Sequence, residues 1–108
     1  MSSIHDSMLE KIVMNPKLIG LELDEYDYIL SLPLYYKQIL VVELDLIFKD
    51  QYNTYIIEYK CNNCKQNREK AISQLSWGWD ILRPKICIYA YNNLGFEIIT
   101  FPKVKNYD

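Results

Sequence analysis

Three features of the chain predict an α/β fold, a central mixed sheet flanked by helices. Residues 4–14 and 66–82 carry apolar side chains at helical spacing. Residues 41–60 (VVELDLIFKDQYNTYIIEYK) alternate apolar and polar side chains on either side of a short polar stretch, the pattern of a β-hairpin. An apolar run, residues 85–91 (KICIYAY), follows the second helix, and a strand–helix–strand order permits a right-handed crossover onto a parallel neighbour.

Ser2 and Ser3 offer N-caps for the first helix, with Asp6 three residues after Ser3, and Ile4, Met8, Lys11 and Ile12 continue at helical spacing. Asn15-Pro16 ends it. Glu10 stands two positions before Ile12, off the most apolar stripe, and by itself reads as a solvated helix charge. His5, the only histidine, has no evident partner and reads as a surface residue. Residues 18–24 (LIGLELD) form a candidate first strand, and residues 22–28 (ELDEYDY) its end plus a solvated acidic loop. Pro33 bars an interior strand nearby and points to a turn or a sheet edge.

In the hairpin, Gln51 and Tyr52 at the tip set Asp50 opposite Asn53, which places Asp45 opposite Glu58 and Glu43 opposite Lys60 on one face. Two carboxylates about 5 Å apart across a ladder repel unless something positive lies between them. A divalent cation is the simple remedy; a Glu43–Lys60 salt bridge with Asp45 solvated or protonated is the purely structural alternative. The opposite face carries Val42, Leu44, Leu46 and Phe48 with Tyr55, Ile57 and Tyr59, an apolar surface that a helix must cover. One dry face and one chemical face are therefore expected.

Cys61-Asn62-Asn63-Cys64 is half of a zinc site or a redox motif, yet only Cys87, inside an apolar strand, and His5 could complete it, so neither reading is favoured. The second helix carries Ala71, Leu75 and Leu82 on one stripe and stops at Arg83-Pro84. Lys60, Lys65, Arg68 and Lys70 make a basic patch after the hairpin, either phosphate contacts or a solvated helix start. Trp77 and Trp79 are expected to pack on the sheet rather than stack on bases. Asn92 to Gly95 turn the chain into a last strand, residues 96–101 (FEIITF).

With 108 residues, half of them apolar, the chain is expected to form one globular domain over residues 1–108. No apolar stretch approaches the ~18 residues of a membrane span and no signal peptide is evident, so a cytoplasmic setting is expected, with the three cysteines reduced. Net charge is −2, but its distribution is uneven: residues 1–58 carry ten acids and four bases, residues 59–108 eight bases and four acids. An acidic half able to hold a metal and a basic half able to neutralise phosphates suit a protein that cuts a polyanion, and equally an ordinary domain bridged by salt links.

Taken together, Glu10 before Asn15-Pro16, LIGLEL, ELDLIF with Asp45, IIEYK with Glu58 and Lys60, and REKAISQL with Gln74 resemble the PD-(D/E)XK nuclease superfamily, in particular its RecB-like and NucS-type endonuclease domains. The resemblance covers about two thirds of the chain, and joining Glu-x-Lys to Asp45 and Gln74 makes it more specific than Glu-x-Lys alone. It implies a restriction-endonuclease-like αβββαβ core and a metal-dependent nuclease, most simply a DNA endonuclease. Asp45, Glu58, Glu10 and the Tyr59 carbonyl would hold Mg²⁺ or Mn²⁺, Lys60 would orient water or stabilise charge, and Gln74 would stand near the site. Lys65, Arg68 and Lys70 would contact DNA, with a homodimer to grip the duplex and no organic cofactor or membrane. Two departures stand out: Leu44 occupies the place of the eponymous proline, and Gly78 that of a tyrosine RecB-like members often carry four residues after the glutamine. The alternatives are a DNA- or protein-binding module on the same fold that has lost catalysis, and an unrelated α/β domain in which Asp45 and Glu58 meet only if the register holds.

Overall fold

The computed structural model describes residues 3–102. Helix α1 (Ile4–Met14) is capped by Ser3, whose hydroxyl accepts the Asp6 N–H at 3.1 Å. A 3-10 turn (Pro16–Ile19) follows, then strands β1 (Asp27–Tyr36), β2 (Ile39–Lys49) and β3 (Thr54–Lys60), helix α2 (Lys65–Leu82), and strands β4 (Ile86–Tyr91) and β5 (Gly95–Ile99). The five strands form one sheet in chain order, antiparallel except for the parallel β3–β4 pair that α2 connects. The α/β class and the mixed sheet are as the sequence predicts.

The β2–β3 register is also the expected one. Leu46 pairs with Ile57, Phe48 with Tyr55 and Lys49 with Thr54. The turn is held by Asp50, whose N–H donates to the Asn53 carbonyl at 3.0 Å and whose Oδ1 accepts the N–H groups of Tyr52 and Asn53 at 3.0 and 2.8 Å. These bonds hold the Asp50 carboxyl below its usual range.

Three expectations need correction. Residues 18–24 are not a strand. Pro16 opens the 3-10 turn, and Gly20, at φ 80, ends it in a left-handed conformation open to glycine. Ile19 and Leu21 are buried there as a loop that joins the core beside α1. The first strand is instead β1, at the sheet edge where Pro33 is tolerated.

Both faces of the sheet are dry. Leu9, Ile12 and Val13 of α1 pack on Leu46, Phe48, Tyr55, Ile57 and Tyr59, while Ala71 and Leu75 of α2 pack with Leu44, Ile47, Ile56 and Tyr89 on the other side. A crossover helix must cover the face it crosses, which strand alternation alone does not reveal. Leu44 and Val42 lie with α2, whereas alternation from Leu46 would send them to α1. The phase changes at Asp45: Leu30 pairs with Leu46 and Leu32 with Leu44, but the intervening Ser31 sits at φ 57 and has no ladder partner.

The stripe of α1 is also rotated from the expected one. Ile4 is 74% exposed, and the buried positions are Leu9, Ile12 and Val13. That phase turns His5, four residues before Leu9, toward the sheet.

Candidate functional site

The β2–β3 ladder ends at Leu46–Ile57. At the next position the strands part, and the two acidic side chains take over the hydrogen bonding that backbone carbonyls perform elsewhere. Glu58 Oε1 accepts the Asp45 N–H at 2.9 Å, and Asp45 Oδ2 accepts the Tyr59 N–H at 2.9 Å. Each carboxylate thereby satisfies a backbone donor left over by the opening. The carboxylates meet as the register predicts, but at a split in the sheet and not in the middle of a face.

A third group completes this arrangement. His5, on the first turn of α1, places Nε2 3.2 Å from Asp45 Oδ2 and 3.1 Å from the Tyr59 carbonyl oxygen. Its ring meets Tyr59 edge-on at 5.7 Å. The Tyr59 hydroxyl in turn donates to the Asn92 carbonyl at 2.6 Å, tying the end of β3 to the turn after β4. His5 is the functional candidate that residue-by-residue reading discards. Its signal was the stripe 5, 9, 12, once that stripe is phased on Leu9.

Glu58 is fully buried, and its Oε2 has no hydrogen-bond partner. Burial, and after it the charge of Asp45, push its carboxyl up to about 9; the Asp45 N–H and the charge of Lys60 oppose the shift. Gln74 Oε1 is likewise buried without a partner. It stands on α2 three residues after Ala71 and four before Gly78, both buried against the sheet, and Glu58 is on the strand face that α2 covers. Two oxygens without donors in one layer of the molecule are costly unless a proton, water or cation serves them.

Lys60 follows Glu58 by two residues on the same face and is partly exposed. No Glu43–Lys60 ion pair forms: Glu43 pairs with Pro33 in the ladder with β1, and the ion pairs among the described residues are His5–Asp6, His5–Asp45 and Arg68–Glu97. Glu10 is exposed on α1 and makes no hydrogen bond or ion pair with Asp45, Glu58 or Tyr59. The basic patch is divided. Lys65 and Lys70 are exposed on α2, whereas the Arg68 guanidinium is held by both carboxylate oxygens of Glu97 on β5.

Gly78 has a packing role. A Cβ there would lie 2.6 Å from Ile56 Cδ1 and 3.1 Å from Leu44 Cδ1, so a tyrosine cannot stand at this position without moving α2 off the sheet. Cys87 is buried in β4, and burial raises its thiol to about 12, leaving it inert. Cys61 and Cys64 are free at the β3–α2 junction.

Among the described residues, no three His, Cys, Asp or Glu side chains gather as a metal-binding group. Here the converging donors are two side chains and one backbone carbonyl, with Glu58 turned onto the Asp45 N–H. Cis ligands of an octahedral ion with bonds near 2.1 Å stand about 3.0 Å apart. The separations from His5 Nε2, 3.2 and 3.1 Å, are close to that edge. The chain matches no protein-family model, and neither the curated proteins nor the solved structures contain a match. No helix among the described residues is long and apolar enough to cross a membrane.

Proposed function

We propose that the chain is a divalent-cation-dependent phosphodiesterase acting on DNA, built on a PD-(D/E)XK-like core. The observation that carries this reading is the convergence of Asp45 Oδ2, the Tyr59 carbonyl and His5 Nε2 where β2 and β3 part, beside the unpartnered Oε2 of buried Glu58. The order α1, β1–β3, α2, β4, with a parallel β3–β4 pair, agrees with the αβββαβ arrangement that the sequence resemblance implies.

Asp45, the Tyr59 carbonyl and His5 would hold the cation, and Glu58 would join them once its proton is lost. Carboxylate and carbonyl oxygens suit Mg²⁺ and Mn²⁺ alike, whereas an imidazole nitrogen moves the preference toward transition ions, so Mn²⁺ is the better fit. When bound, the cation would lower the pKa of a coordinated water and shield phosphate charge. Lys60, on the Glu58 face of β3, would hold the attacking water or offset charge on the phosphate. Exposed Lys65 and Lys70 would take the polyanion's backbone.

The test is a panel of linear, nicked, flapped, single-stranded and four-way-junction DNA incubated with Mn²⁺ or Mg²⁺, beside Asp45→Ala, Glu58→Ala and Lys60→Ala. Cleavage lost in chelator and in all three variants is the expected result. Cleavage indifferent to all three refutes the assignment. That no three His, Cys, Asp or Glu side chains gather among the described residues favours a second reading, a DNA- or protein-binding module that has lost catalysis. DNA binding that persists in chelator, with no Mn²⁺ uptake by calorimetry, would select it.

A further inference from the structure

The sheet edge at β1 is left uncovered. Tyr28, Ile29 and Leu30 near its start are 50, 41 and 42% exposed. At the other end of the β1–β2 hairpin Tyr35, Tyr36, Ile39 and Leu40 are 59, 51, 67 and 53% exposed. Isolated exposed apolar residues are ordinary, but seven along one edge hairpin are not. Their side chains alternate between the two faces that flank the edge, so a strand paired there would cover part of each.

The sequence of β1 with the turn residue that follows it, DYILSLPLYYK over residues 27–37, is close to self-complementary when reversed. An antiparallel alignment about a two-fold axis at Leu32 sets Asp27 against Lys37 of a second copy. It also sets Tyr28 against Tyr36 and Ile29 against Tyr35. The ends carry opposite charge. The β1 start lies among Glu22, Asp24, Glu25 and Asp27 around one open pocket, and none of these acids is in an ion pair; Lys37 is the cation at the other end. Lys49 faces Asp27 across the ladder without reaching ion-pair distance. Lys37 lies 5.4 Å from the Tyr36 ring, which leaves its ammonium free for a carboxylate.

We infer that this edge is an isologous interface: two copies of the chain pair through β1 about a two-fold axis at Leu32, with Asp27 of each meeting Lys37 of the other. A two-fold contact of this kind repeats each interaction twice and closes the assembly at two. Main-chain pairing is confined to the segments on either side of Ser31 and Pro33, because Pro33 has no N–H and Ser31, at φ 57, leaves strand geometry; Lys37, at φ 50 in the turn beyond β1, meets Asp27 through its side chain alone. The interface is independent of the phosphodiesterase reading, since none of its residues belongs to the His5–Asp45–Glu58 group.

Sedimentation velocity of the full chain over a dilution series in micromolar protein tests it. A dimer is expected. Lys37→Glu and Asp27→Lys should each weaken it by roughly tenfold or more, and the double variant Asp27→Lys/Lys37→Glu should restore it. Tyr35→Glu should give a monomer whose circular dichroism is unchanged. A monomer at every concentration overturns the inference and leaves the edge to a different protein or to nucleic acid. A dimer that ignores both charge reversals, a swap that does not restore pairing, or assembly beyond two copies also overturns it.

Discussion

Glu58→Gln tests the electrostatics of the site without any substrate. Glu58 is fully buried, with Oε1 on the Asp45 N–H and Oε2 without a partner, and its carboxyl is raised well above the ordinary value of 4.5. In chelator, the folded protein therefore keeps this proton at neutral pH while the unfolded chain has lost it. Where the folded state binds the extra proton, stability falls as pH rises, by at most about 1.4 kcal/mol per pH unit for one group. The stability is complete below the unfolded value and drains away up to the folded one, so the window opens near 4.5 and extends toward 9. Between about pH 6 and pH 8 wild type should lose as much as roughly 3 kcal/mol from this group alone, on the order of 10 °C in melting temperature for a domain this size. Glutamine keeps an acceptor for the Asp45 N–H, places an amide where the unpartnered oxygen stood, and does not titrate. The informative quantity is the variant-minus-wild-type difference in urea denaturation across that range in chelator, from which titrations not coupled to Glu58 cancel. It should be small at the acid end and grow in favour of glutamine with pH. A difference that stays flat across that range refutes the assignment of a proton to Glu58.

Three further outcomes are expected. His5→Ala should weaken Mn²⁺ binding in calorimetry by roughly tenfold or more and narrow the gap between Mn²⁺ and Mg²⁺, because only the imidazole distinguishes them; an unchanged Mn²⁺ isotherm removes His5 from the site. Gly78→Tyr should lower stability by more than about 2 kcal/mol, since even a Cβ meets Ile56 at 2.6 Å, and a variant as stable as wild type would show that α2 does not pack closely at this point. Under native conditions a thiol reagent should modify Cys61 readily and spare Cys87, which is buried and raised to about 12; labelling of Cys87 at the same rate would contradict its burial.

Local pattern and tertiary placement contributed differently to what could be read. The Asp50 turn and period-two alternation fix the β2–β3 register, because turn chemistry and a buried face both penalise a slip, and so the sequence alone placed Asp45 beside Glu58. The helix stops at Asn15-Pro16 and Arg83-Pro84 and the capping Ser3 were likewise local, and so was the crossover that makes β3 and β4 parallel. What local pattern could not supply was the phase of α1. A helix with Ile4, Met8, Leu9, Ile12 and Val13 offers two overlapping stripes, and only packing on Leu46, Phe48 and Ile57 selects the one that carries His5. The change of face at Asp45, the commitment of Arg68 to Glu97, and the close approach at Gly78 are of the same kind. Each depends on residues far apart in the chain whose contacts have no period to read. The sequence thus determined that two acids meet and which strands bear them. Tertiary structure decided that they meet at a split in the sheet, with Glu58 on the face α2 covers and Asp45 reached by a histidine from the first helix.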